Sequence, residues 1–417
     1  MKFFHIADLH FGKTLHNVPL IEEDQPFWVE QFIKAVDTYQ PDAVVIAGDV
    51  YDRRVPSPEA MTLFGHLLTE LAMRDKYVFV IPGNHDSAVR LSHVNSLLAP
   101  HKIYIAGEVN RELTHVTVPG KPVDVTFWLM PYIFPKLVSD ERVLGLDGLS
   151  TYDEAVRALL DVQDLDRNVC NVLAAHQNVL ANGVAPEHSE SETIIGGLGE
   201  IEYTAFDAFD YVALGHIHNA QKIGRETVRY AGCPLYYDFS ELNRNKDLTL
   251  VTVNSKGNIE IERIGIPLLH RLEQKTGTLE DLITFGLSLK NKQELHIQCI
   301  LTDKHVPPRA MEQLREVYGS SLVNVKRGLS PVIRTEKETT EHTSVSASLG
   351  LEEQFGAFFR EQNNELLDGI QEKLIRMILE QQSRYGDAFF NKSNEVPEKD
   401  SQELLDYLLE ETKEDAQ

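Results

Sequence analysis

Short apolar runs alternate with longer amphipathic segments over the first 265 residues of the 417-residue chain. The segments between the first three runs, residues 27–39 and 58–73, carry the spacing of helices that bury one face. The runs are rich in β-branched side chains, as buried strands are, and span residues 2–7, 43–47, 77–81, 169–175 and 211–214. This alternation predicts a layered α/β fold.

Two further stretches, residues 123–130 and 227–264, predict strands without an intervening helix. In the second stretch, a polar turn at residues 254–258 separates two strand-like segments. Successive strands joined by short turns pair as hairpins, so we expect a mixed sheet. The whole region therefore predicts two sheets with helices on their outer faces.

Residues 266–330 change to the order strand, helix, strand, helix, strand. The clearest elements are predicted at residues 279–287, 295–301, 308–318 and 322–325. A single hydrophobic core rarely grows beyond about 250–300 residues. We therefore predict a large domain at residues 1–265 and a small, separate α+β domain at residues 266–330.

The remaining chain divides into three parts. Residues 331–349 are rich in Thr, Ser and Glu without apolar periodicity, which is typical of a linker. Residues 350–388 return to helical spacing, and residues 389–417 form an acidic tail. An apolar helical stripe packs against its own domain or, behind a polar linker, docks on the helices of another chain. The pattern leaves both interpretations open.

Composition places the chain among ordinary globular proteins, at 42% hydrophobic and 25% charged residues, and excludes a disordered or fibrous chain. The cysteines Cys170, Cys233 and Cys299 form no Cys-x-x-Cys pair, so neither a disulfide scaffold nor a cysteine zinc site is indicated.

The apolar N-terminus is interrupted by His5 and Asp8, which disfavours a signal peptide. No apolar run reaches the ~18 residues of a membrane span. We expect a soluble cytoplasmic protein without a membrane association.

The chain is strongly acidic, with 64 Asp and Glu against 40 Lys and Arg and a formal charge of −24. Residues 1–265 carry 37 acidic and 22 basic side chains, and residues 331–417 carry 20 and 9. Residues 266–330 are net basic, with 9 basic side chains against 7 acidic ones. Because nucleic-acid binders normally present a basic surface, the balance excludes a self-sufficient DNA binder.

Residue types that bind metals follow each of the five early runs. They are Asp8 with His10, Asp49, Asn84 with His85 and Asp86, His176, and His216 with His218. In open α/β sheets, ligands bind at the carboxyl ends of the strands. Singly, such residues serve as turn residues, helix caps or hydrogen-bonded histidines. Five strand ends of this kind together predict a metal centre.

The predicted ligand set combines imidazoles with carboxylate and amide oxygens and contains no sulfur. It is large enough for two cations. Mn²⁺, Fe or Zn²⁺ would suit it, whereas the many imidazoles disfavour Mg²⁺ and Ca²⁺. A carboxylate that bridges two cations ~3.5–4 Å apart allows them to clamp the attacking and leaving oxygens of a displacement at phosphorus.

The order Asp-x-His, Gly-Asp-x-x-Asp, Gly-Asn-His-Asp, His and Gly-His-x-His resembles the calcineurin-like metallophosphoesterase superfamily over the first 265 residues. More narrowly, it is similar to the nuclease subunits of bacterial DNA double-strand-break nucleases, whose layout of small domain, linker and helix pair it shares. The resemblance implies a two-sheet sandwich flanked by helices, a small α+β capping domain, and partner-binding helices at residues 350–388.

The same resemblance implies a Mn²⁺-dependent DNA nuclease, with 3′–5′ exonuclease action on duplex ends and endonuclease action on single strands or hairpins. The implied partner is an ATPase with long antiparallel coiled-coil arms. The implied processes are DNA repair, recombination and replication. A homodimer is implied as well, through residues 58–73 or 92–98.

Carried over residue by residue, the resemblance implies one metal held by Asp8, His10 and His218, another held by Asn84, His176 and His216, and a bridging Asp49. His85 would face the scissile phosphate and protonate the leaving oxygen or stabilise charge. Asp52 would orient His85 through its carboxylate. Candidates for holding phosphate, each with an ordinary surface role as the alternative, are Arg53, Arg54 and Arg90.

Two other functions stay open. One is a small-nucleotide phosphodiesterase or a phosphomonoesterase of the same superfamily. Protein phosphatases of that group carry Asp-Arg-Gly and Gly-Asn-His-Glu, whereas this chain has Asp52-Arg53-Arg54 and Gly83-Asn84-His85-Asp86. The other is a catalytically inactive scaffold subunit, against which the complete ligand set argues.

Overall fold

The computed structural model describes residues 1–189, 192, 199–304, 307–328 and 375–376. The chain divides into two units, Met1–Gly328 and Leu329–Gln417. The predicted linker and acidic tail lie outside the described residues. So do the predicted partner-binding helices, except for Ile375 and Arg376, which are helical.

The described residues form nineteen strands, some only two residues long. They are β1 (Lys2–Ile6), β2 (Thr14–Leu15), β3 (Val18–Pro19), β4 (Ala43–Ala47), β5 (Tyr77–Ile81), β6 (Ile103–Ile105), β7 (Thr114–Val118), β8 (Val125–Met130), β9 (Cys170–His176), β10 (Asn178–Leu180), β11 (Glu200–Glu202), β12 (Tyr211–Gly215), β13 (Lys222–Ile223), β14 (Arg225–Tyr230), β15 (Asp247–Ser255), β16 (Asn258–Gly265), β17 (Arg271–Gly277), β18 (Leu295–Leu301) and β19 (Leu322–Arg327).

Eight α-helices accompany these strands in the same part of the chain. They are α1 (Asp24–Tyr39), α2 (Pro58–Met73), α3 (Ala88–Ser92), α4 (Asn95–Leu98), α5 (Pro135–Val138), α6 (Tyr152–Asp161), α7 (Leu279–Ser288) and α8 (Ala310–Tyr318). None of these helices is long and apolar enough to cross a membrane.

Two six-stranded sheets carry most of the strands. The first has the order β16-β15-β1-β4-β5-β6, and the second has the order β13-β14-β12-β9-β8-β7. In the first sheet, β1, β4, β5 and β6 run parallel, and β15 and β16 extend the sheet with antiparallel pairing. In the second sheet, β14, β12, β9 and β8 run parallel, and the edge strands β13 and β7 are antiparallel. This confirms the predicted pair of mixed sheets with helices outside.

An apolar layer fills the space between the two sheets. Phe3 and Phe79 come from the first sheet and Phe127 and Val172 from the second, and all are buried. The rings of Phe79 and Phe127 stack with centroids 4.3 Å apart. The outer face of the first sheet packs against α1 and α2, and that of the second against α6. Burial on both faces explains why the inner strands are continuous apolar runs rather than alternating ones.

The strands β17, β18 and β19 form a separate, fully parallel sheet. The helices α7 and α8 make its crossovers and bury Leu282, Ile297 and Leu314. Thr278 and Asp281 form a capping box that starts α7. The order of elements is the one predicted for residues 266–330, while the domain boundary at residue 265 stays a prediction.

Several predicted elements coincide with the observed bounds, among them β4, β5 and α2. Helix α1 begins at Asp24 rather than at the predicted residue 27, so that Pro26 lies within its first turn. A proline is tolerated there, since the first N–H groups of a helix have no intrahelical partner.

Candidate metal centre

Five turns converge at the edge of the sandwich where the parallel strands end. Three of them follow β1, β4 and β5 of the first sheet, and two lie at the ends of β9 and β12 of the second. They carry the residues predicted as ligands together with His85, namely Asp8, His10, Asp49, Asn84, His85, His176, His216 and His218. The structure thus brings all eight into one region, as expected for the carboxyl ends of strands in such sheets.

The backbone of these turns is left-handed at four of the site residues. Asp8, His10, Asp49 and His216 have φ angles of 54°, 42°, 49° and 101°. Residues other than glycine rarely adopt positive φ and keep it only where the surrounding structure holds them. The turns are therefore shaped by tertiary contacts rather than by local preference.

Two glycines allow the turns to approach one another. At Gly48, whose φ is +91°, a Cβ atom would lie 2.2 Å from Nδ1 of His176. At Gly215, a Cβ atom would lie 2.0 Å from the carbonyl oxygen of Ala47. A side chain at either position would push the turns of the two sheets apart.

One group of possible ligand atoms joins the first turn to the last. Asp8, His10 and His218 each offer an atom within 4.8 Å of the others, and all three side chains are buried. The Nε2 atoms of His10 and His218 are 3.2 Å apart. Asp8 also accepts the backbone N–H of His216 at 3.0 Å, which ties the two turns together.

A second group forms around the amide oxygen of Asn84. Nε2 of His176 lies 3.1 Å from Oδ1 of Asn84, and Nδ1 of His216 lies 3.2 Å from the same oxygen. The rings of His176 and His216 are 5.2 Å apart between centroids. These three side chains therefore converge on one point.

Asp49 lies between the two groups. Its Oδ2 atom is 3.6 Å from Nε2 of His10 and 3.4 Å from Nε2 of His176. Its Oδ1 atom accepts the backbone N–H of His85 at 2.9 Å. The carboxylate is thus near one imidazole of each group, and its bridging role stays a prediction.

The atoms of the second group are better arranged to bind a cation than to form hydrogen bonds with one another. Nδ1 of His176 lies 2.8 Å from the carbonyl oxygen of Ala47, which can only accept, so this nitrogen carries the ring proton. In the neutral ring, the lone pair of Nε2 faces Asn84 Oδ1 and Asp49 Oδ2, which are acceptors as well. Acceptors at these distances repel unless positive charge lies among them. A nitrogen and oxygen set of this kind suits Mn²⁺, Fe or Zn²⁺.

The pKa values of the buried groups also indicate that positive charge belongs among these carboxylates. Burial raises the pKa of Asp8 to about 6, against the influence of nearby histidines. Burial would also raise the pKa of Asp49, but His176 and His10 lower it well below its usual range. Burial would lower the pKa of His176, yet the Asp49 carboxylate raises it to about 9. A bound cation would take the place of that proton.

His85 lies at the margin of the first group. Its ring centroid is 4.9 Å from that of His10. Nδ1 of His85 lies 2.9 Å from the backbone carbonyl oxygen of Asp52, so this nitrogen donates. The contact fixes the orientation of the ring, and Nε2 is the ring nitrogen that this contact does not use.

Asp52 approaches His85 through both its main chain and its side chain. Its carbonyl oxygen accepts from Nδ1 of His85, and its carboxylate offers an atom within 4.8 Å of a ring nitrogen of His85. The carboxylate also forms an ion pair with Lys13 at 2.9 Å and lies 3.8 Å from Nδ1 of His10. The orienting role predicted for this carboxylate stays a prediction.

The arginines predicted to hold phosphate lie on the surface. The side chain of Arg53 is 80% exposed, and its Nε atom is 3.7 Å from the Asp52 carboxylate. Arg54 and Arg90 are exposed too, and Arg90 borders an apolar groove beside α2. Their contact with phosphate stays a prediction.

Asp86, predicted only as one of the metal-binding residue types at the strand ends, holds two of the turns together. Its carboxylate accepts the backbone N–H groups of Val50, Tyr51 and Gly83, each at 3.0 Å. Burial raises the pKa of Asp86 to about 7, while these three donors oppose the shift. The position directly after His85 was the available signal, because a carboxylate in a glycine turn commonly caps backbone N–H groups.

A loop between β14 and β15, which the sequence did not predict as part of the site, packs against the first group. The hydroxyl of Tyr237 donates to the carbonyl of Leu9 at 2.6 Å, and its ring centroid is 5.4 Å from that of His10. Oε1 of Glu241 lies 3.5 Å from Nδ1 of His218. No periodic pattern marks this loop, so only the tertiary structure shows its position.

Comparison with known families relates this fold and site to one of them. The calcineurin-like phosphoesterase family model matches residues 1–220, which is more than half of the 417-residue chain. The chain belongs to the calcineurin-like phosphoesterase family. Calcineurin-like phosphoesterases use a dinuclear metal centre, and the described His and Asp clusters are candidates for it.

One curated relative matches most of the chain. It is a protein of Staphylococcus epidermidis whose name describes it as the D component of the nuclease SbcCD. The chain is 29% identical to it over 349 residues, a match that covers 83% of this chain and 89% of the relative. The narrower resemblance predicted from the motifs is confirmed. The prediction of a metal-dependent phosphodiesterase is confirmed at the level of the family and this relative.

Solved structures similar to the chain include TT1561 of Thermus thermophilus, at 10% identity and a TM-score of 0.36, covering 63% of this chain and 98% of that one. Another is the calcineurin-like phosphoesterase YfkN of Bacillus subtilis, at 11% identity and a TM-score of 0.33, covering 64% of this chain and 90% of that one. These values are too low to carry a substrate to this chain.

Proposed function

We propose that the chain is the Mn²⁺-dependent nuclease subunit of an SbcCD-type complex and hydrolyses phosphodiester bonds in DNA. The observation that carries this proposal is the arrangement of two nitrogen and oxygen donor groups on either side of Asp49, with His85 beside them. The proposed activities are 3′–5′ exonuclease action on duplex ends and endonuclease action on single strands or hairpins.

Each donor group would hold one cation. The proposed ligands are Asp8, His10 and His218 for one ion and Asn84, His176 and His216 for the other, with Asp49 shared. Two bound cations supply Lewis-acid stabilisation of the phosphoryl oxygens and a nucleophilic water at neutral pH. The turns of the chain fix the spacing of the donors, and most of the donor side chains are buried, namely Asp8, His10, Asp49, His176 and His218.

His85 would act on the leaving group. With Nδ1 donating to the carbonyl of Asp52, the ring presents Nε2 as the group that donates a proton to the leaving oxygen or a hydrogen bond to a phosphoryl oxygen. Such positioned proton transfer contributes about 10²–10⁴ in rate. The carbonyl of Asp52 would keep the ring in place during turnover.

DNA is supported as the substrate over a small nucleotide by two features. The relative is named a nuclease, and the match covers most of both chains. The small domain is the net basic part of the chain, with 9 basic side chains against 7 acidic ones in residues 266–330. We propose that this domain caps the DNA, which would place the protein in cytoplasmic DNA repair, recombination and replication.

An SbcC-type ATPase is the proposed partner, bound through residues 350–388. The relative's name places it in an SbcCD assembly. Deleting residues 351–385 should abolish co-purification with such an ATPase and leave Mn²⁺-dependent hydrolysis of a simple phosphodiester intact. Co-purification that survives the deletion would contradict the assignment.

A homodimer is proposed through α2 and the short helices α3 and α4. Met61, Met73, Val89 and Leu97 on these helices are 51%, 67%, 60% and 71% exposed. An apolar groove lined by Gly65, among other residues, runs between the helices. Clustered exposed apolar side chains of this kind mark interaction surfaces.

One assay separates the nuclease from the alternative within the family. Purified protein with Mn²⁺ is given duplex DNA, a chromogenic phosphodiester and a chromogenic phosphomonoester side by side. The nuclease proposal expects hydrolysis of DNA and the diester at rates well above that of the monoester. Preference for the monoester would favour a phosphomonoesterase, and hydrolysis of the small diester without DNA cleavage would favour a small-nucleotide enzyme.

A further inference from the structure

We propose that Glu241 is a positioning residue that holds the imidazole of His218 through Nδ1, and that the buried Lys246 keeps Glu241 in place for this task. This inference rests on the metal centre of the proposed function. It adds two residues that lie outside the predicted ligand set.

The geometry places the two nitrogens of His218 on different partners. Nε2 lies 3.2 Å from Nε2 of His10 in the first donor group, whereas Nδ1 lies 3.5 Å from Oε1 of Glu241. A histidine that binds a metal commonly directs its other ring nitrogen at a carboxylate, which fixes the tautomer and makes the ligand more basic. Glu241 is placed to do this for His218.

Glu241 is itself held by the surrounding loop. Its Oε2 atom accepts from Nζ of Lys246 at 2.7 Å and from the backbone N–H of Tyr237 at 3.2 Å. Nζ of Lys246 also lies 2.9 Å from Sγ of Cys233. The side chain of Glu241 is fully buried and that of Lys246 is 2% exposed. Glu241 thus contacts His218 through Oε1 and the loop through Oε2.

The ion pair is difficult to explain by stability alone. Bringing two charges into the interior costs free energy that their attraction often fails to recover, and well-packed apolar residues serve stability as well or better. A positional task accounts for a buried carboxylate at this point, because an apolar side chain could not orient an imidazole. Lys246 then holds Glu241 in place beside His218 through the contact of Nζ with Oε2.

A second carboxylate also approaches His218. Oε1 of Glu192 accepts the backbone N–H of His218 at 2.7 Å and lies 3.9 Å from Nδ1. The same oxygen accepts the hydroxyl of Ser189 at 3.1 Å. Glu192 therefore holds the main chain of His218, and Glu241 is the closer carboxylate to its ring.

The test measures binding of Mn²⁺ alone to the full-length protein by calorimetry, with bound metal counted by elemental analysis after dialysis. The variants are Glu241→Gln and the double variant Glu241→Gln with Lys246→Met, which removes both charges of the pair. We expect the double variant to fold with a near wild-type melting temperature and to bind one of two Mn²⁺ ions about 10–100-fold more weakly. A selective loss at one ion is a result that general destabilisation would not produce.

The matched control is Asp238→Asn, in the same loop and with the same change in charge, whose carboxylate caps the backbone N–H of Ser240 at 2.7 Å. This variant should bind both ions as the wild type does. Wild-type affinity for both ions in the folded double variant would overturn the inference, as would equal weakening of both ions. A wild-type protein that binds two Mn²⁺ ions but cuts no DNA would instead contradict the proposed function and leave this inference standing.

Discussion

At the residue scale, the metal centre depends on how closely its turns approach one another. Gly48 sits against His176, and Gly83 sits against Asp49, where a Cβ atom would lie 2.1 Å from Oδ1. Both contacts are backbone against a proposed ligand. The glycines therefore determine where the ligand atoms lie, although they contribute no ligand themselves.

Gly48→Ala should disrupt the centre more than a glycine replacement elsewhere. Its control is Gly257→Ala, because Gly257 has a comparable φ of +75° and nothing within 4 Å of the position that a methyl group would take. Both variants should lose about 1–2 kcal/mol from the left-handed backbone, but Gly48→Ala should also lose bound Mn²⁺ and most DNA hydrolysis. Thermal melts and metal analysis check this, and equal behaviour of the two variants would contradict it.

At the element scale, one polar cluster joins the small sheet to helix α1. His270 precedes β17, His296 lies on β18, and Asp24 is the first residue of α1. Nδ1 of His270 lies 2.9 Å from Oδ1 of Asp24, and Nε2 of His296 lies 3.2 Å from Oδ2. The two histidines thus hold both oxygens of one carboxylate.

The pKa values of this cluster predict a pH-dependent stability. The hydrogen bond to Asp24 raises the pKa of His270, with Glu23 adding to the effect, so its contribution is present below about 6.5 and is lost as pH rises through the folded value. Burial would raise the pKa of Asp24, but hydrogen bonds from His270 and His296 lower it to about 2. Its contribution is therefore present above about 3.9 and is lost as pH falls towards 2.

Asp24→Asn should accordingly lower the melting temperature more at pH 5.5 than at pH 8. The control is Asp75→Asn, because Asp75 is 81% exposed and pairs with Lys102, which does not titrate in this range. Its effect should be small and the same at both pH values. A penalty for Asp24→Asn that does not change between pH 5.5 and pH 8 would contradict the prediction.

Elements with strong local patterns could be predicted from the sequence, and contacts between distant segments could not. The continuous apolar run of β4 and the amphipathic α2 were predicted with the correct ends, because burial on one or two faces leaves a direct trace in the residue pattern. The residues that directly follow each strand predicted the site, because the carboxyl ends of parallel strands meet at one edge of a sheet. The hydrogen bond from Nδ1 of His85 to the carbonyl of Asp52 depends on the direction of groups within two turns. The contact of Glu241 with His218 depends on packing, and neither leaves a pattern.

At the scale of the whole molecule, the charge distribution limits how tightly the proposed DNA substrate can be bound. The formal charge of the chain is −24, and residues 266–330 are the segment in which basic side chains outnumber acidic ones. Phosphate contacts from so few basic residues are weak and screened by salt. The isolated protein should bind duplex DNA poorly at about 0.15 M salt, and an SbcC-type partner should restore binding. Equally tight binding without the partner would contradict this.

The apolar face of α2 to α4 predicts self-association. Replacing Leu97 and Met61 together by Glu places charge in the proposed interface and should convert a dimer into a monomer in light scattering. The control is Leu287→Glu, since Leu287 on α7 is 70% exposed and lies outside this face. It should leave the molar mass unchanged. An unchanged molar mass in the Leu97 and Met61 variant would contradict the proposed interface.

The central claim is that the site cleaves DNA with His85 acting on the phosphodiester between two bound cations. The most direct measurement compares the Mn²⁺-dependent turnover of duplex DNA by the wild type and by His85→Ala at equal bound metal. The proposed mechanism predicts that His85→Ala retains two Mn²⁺ ions and loses about 10²–10⁴ in rate, whereas Asp49→Ala loses metal as well. DNA cleavage at the wild-type rate by metal-loaded His85→Ala would contradict it.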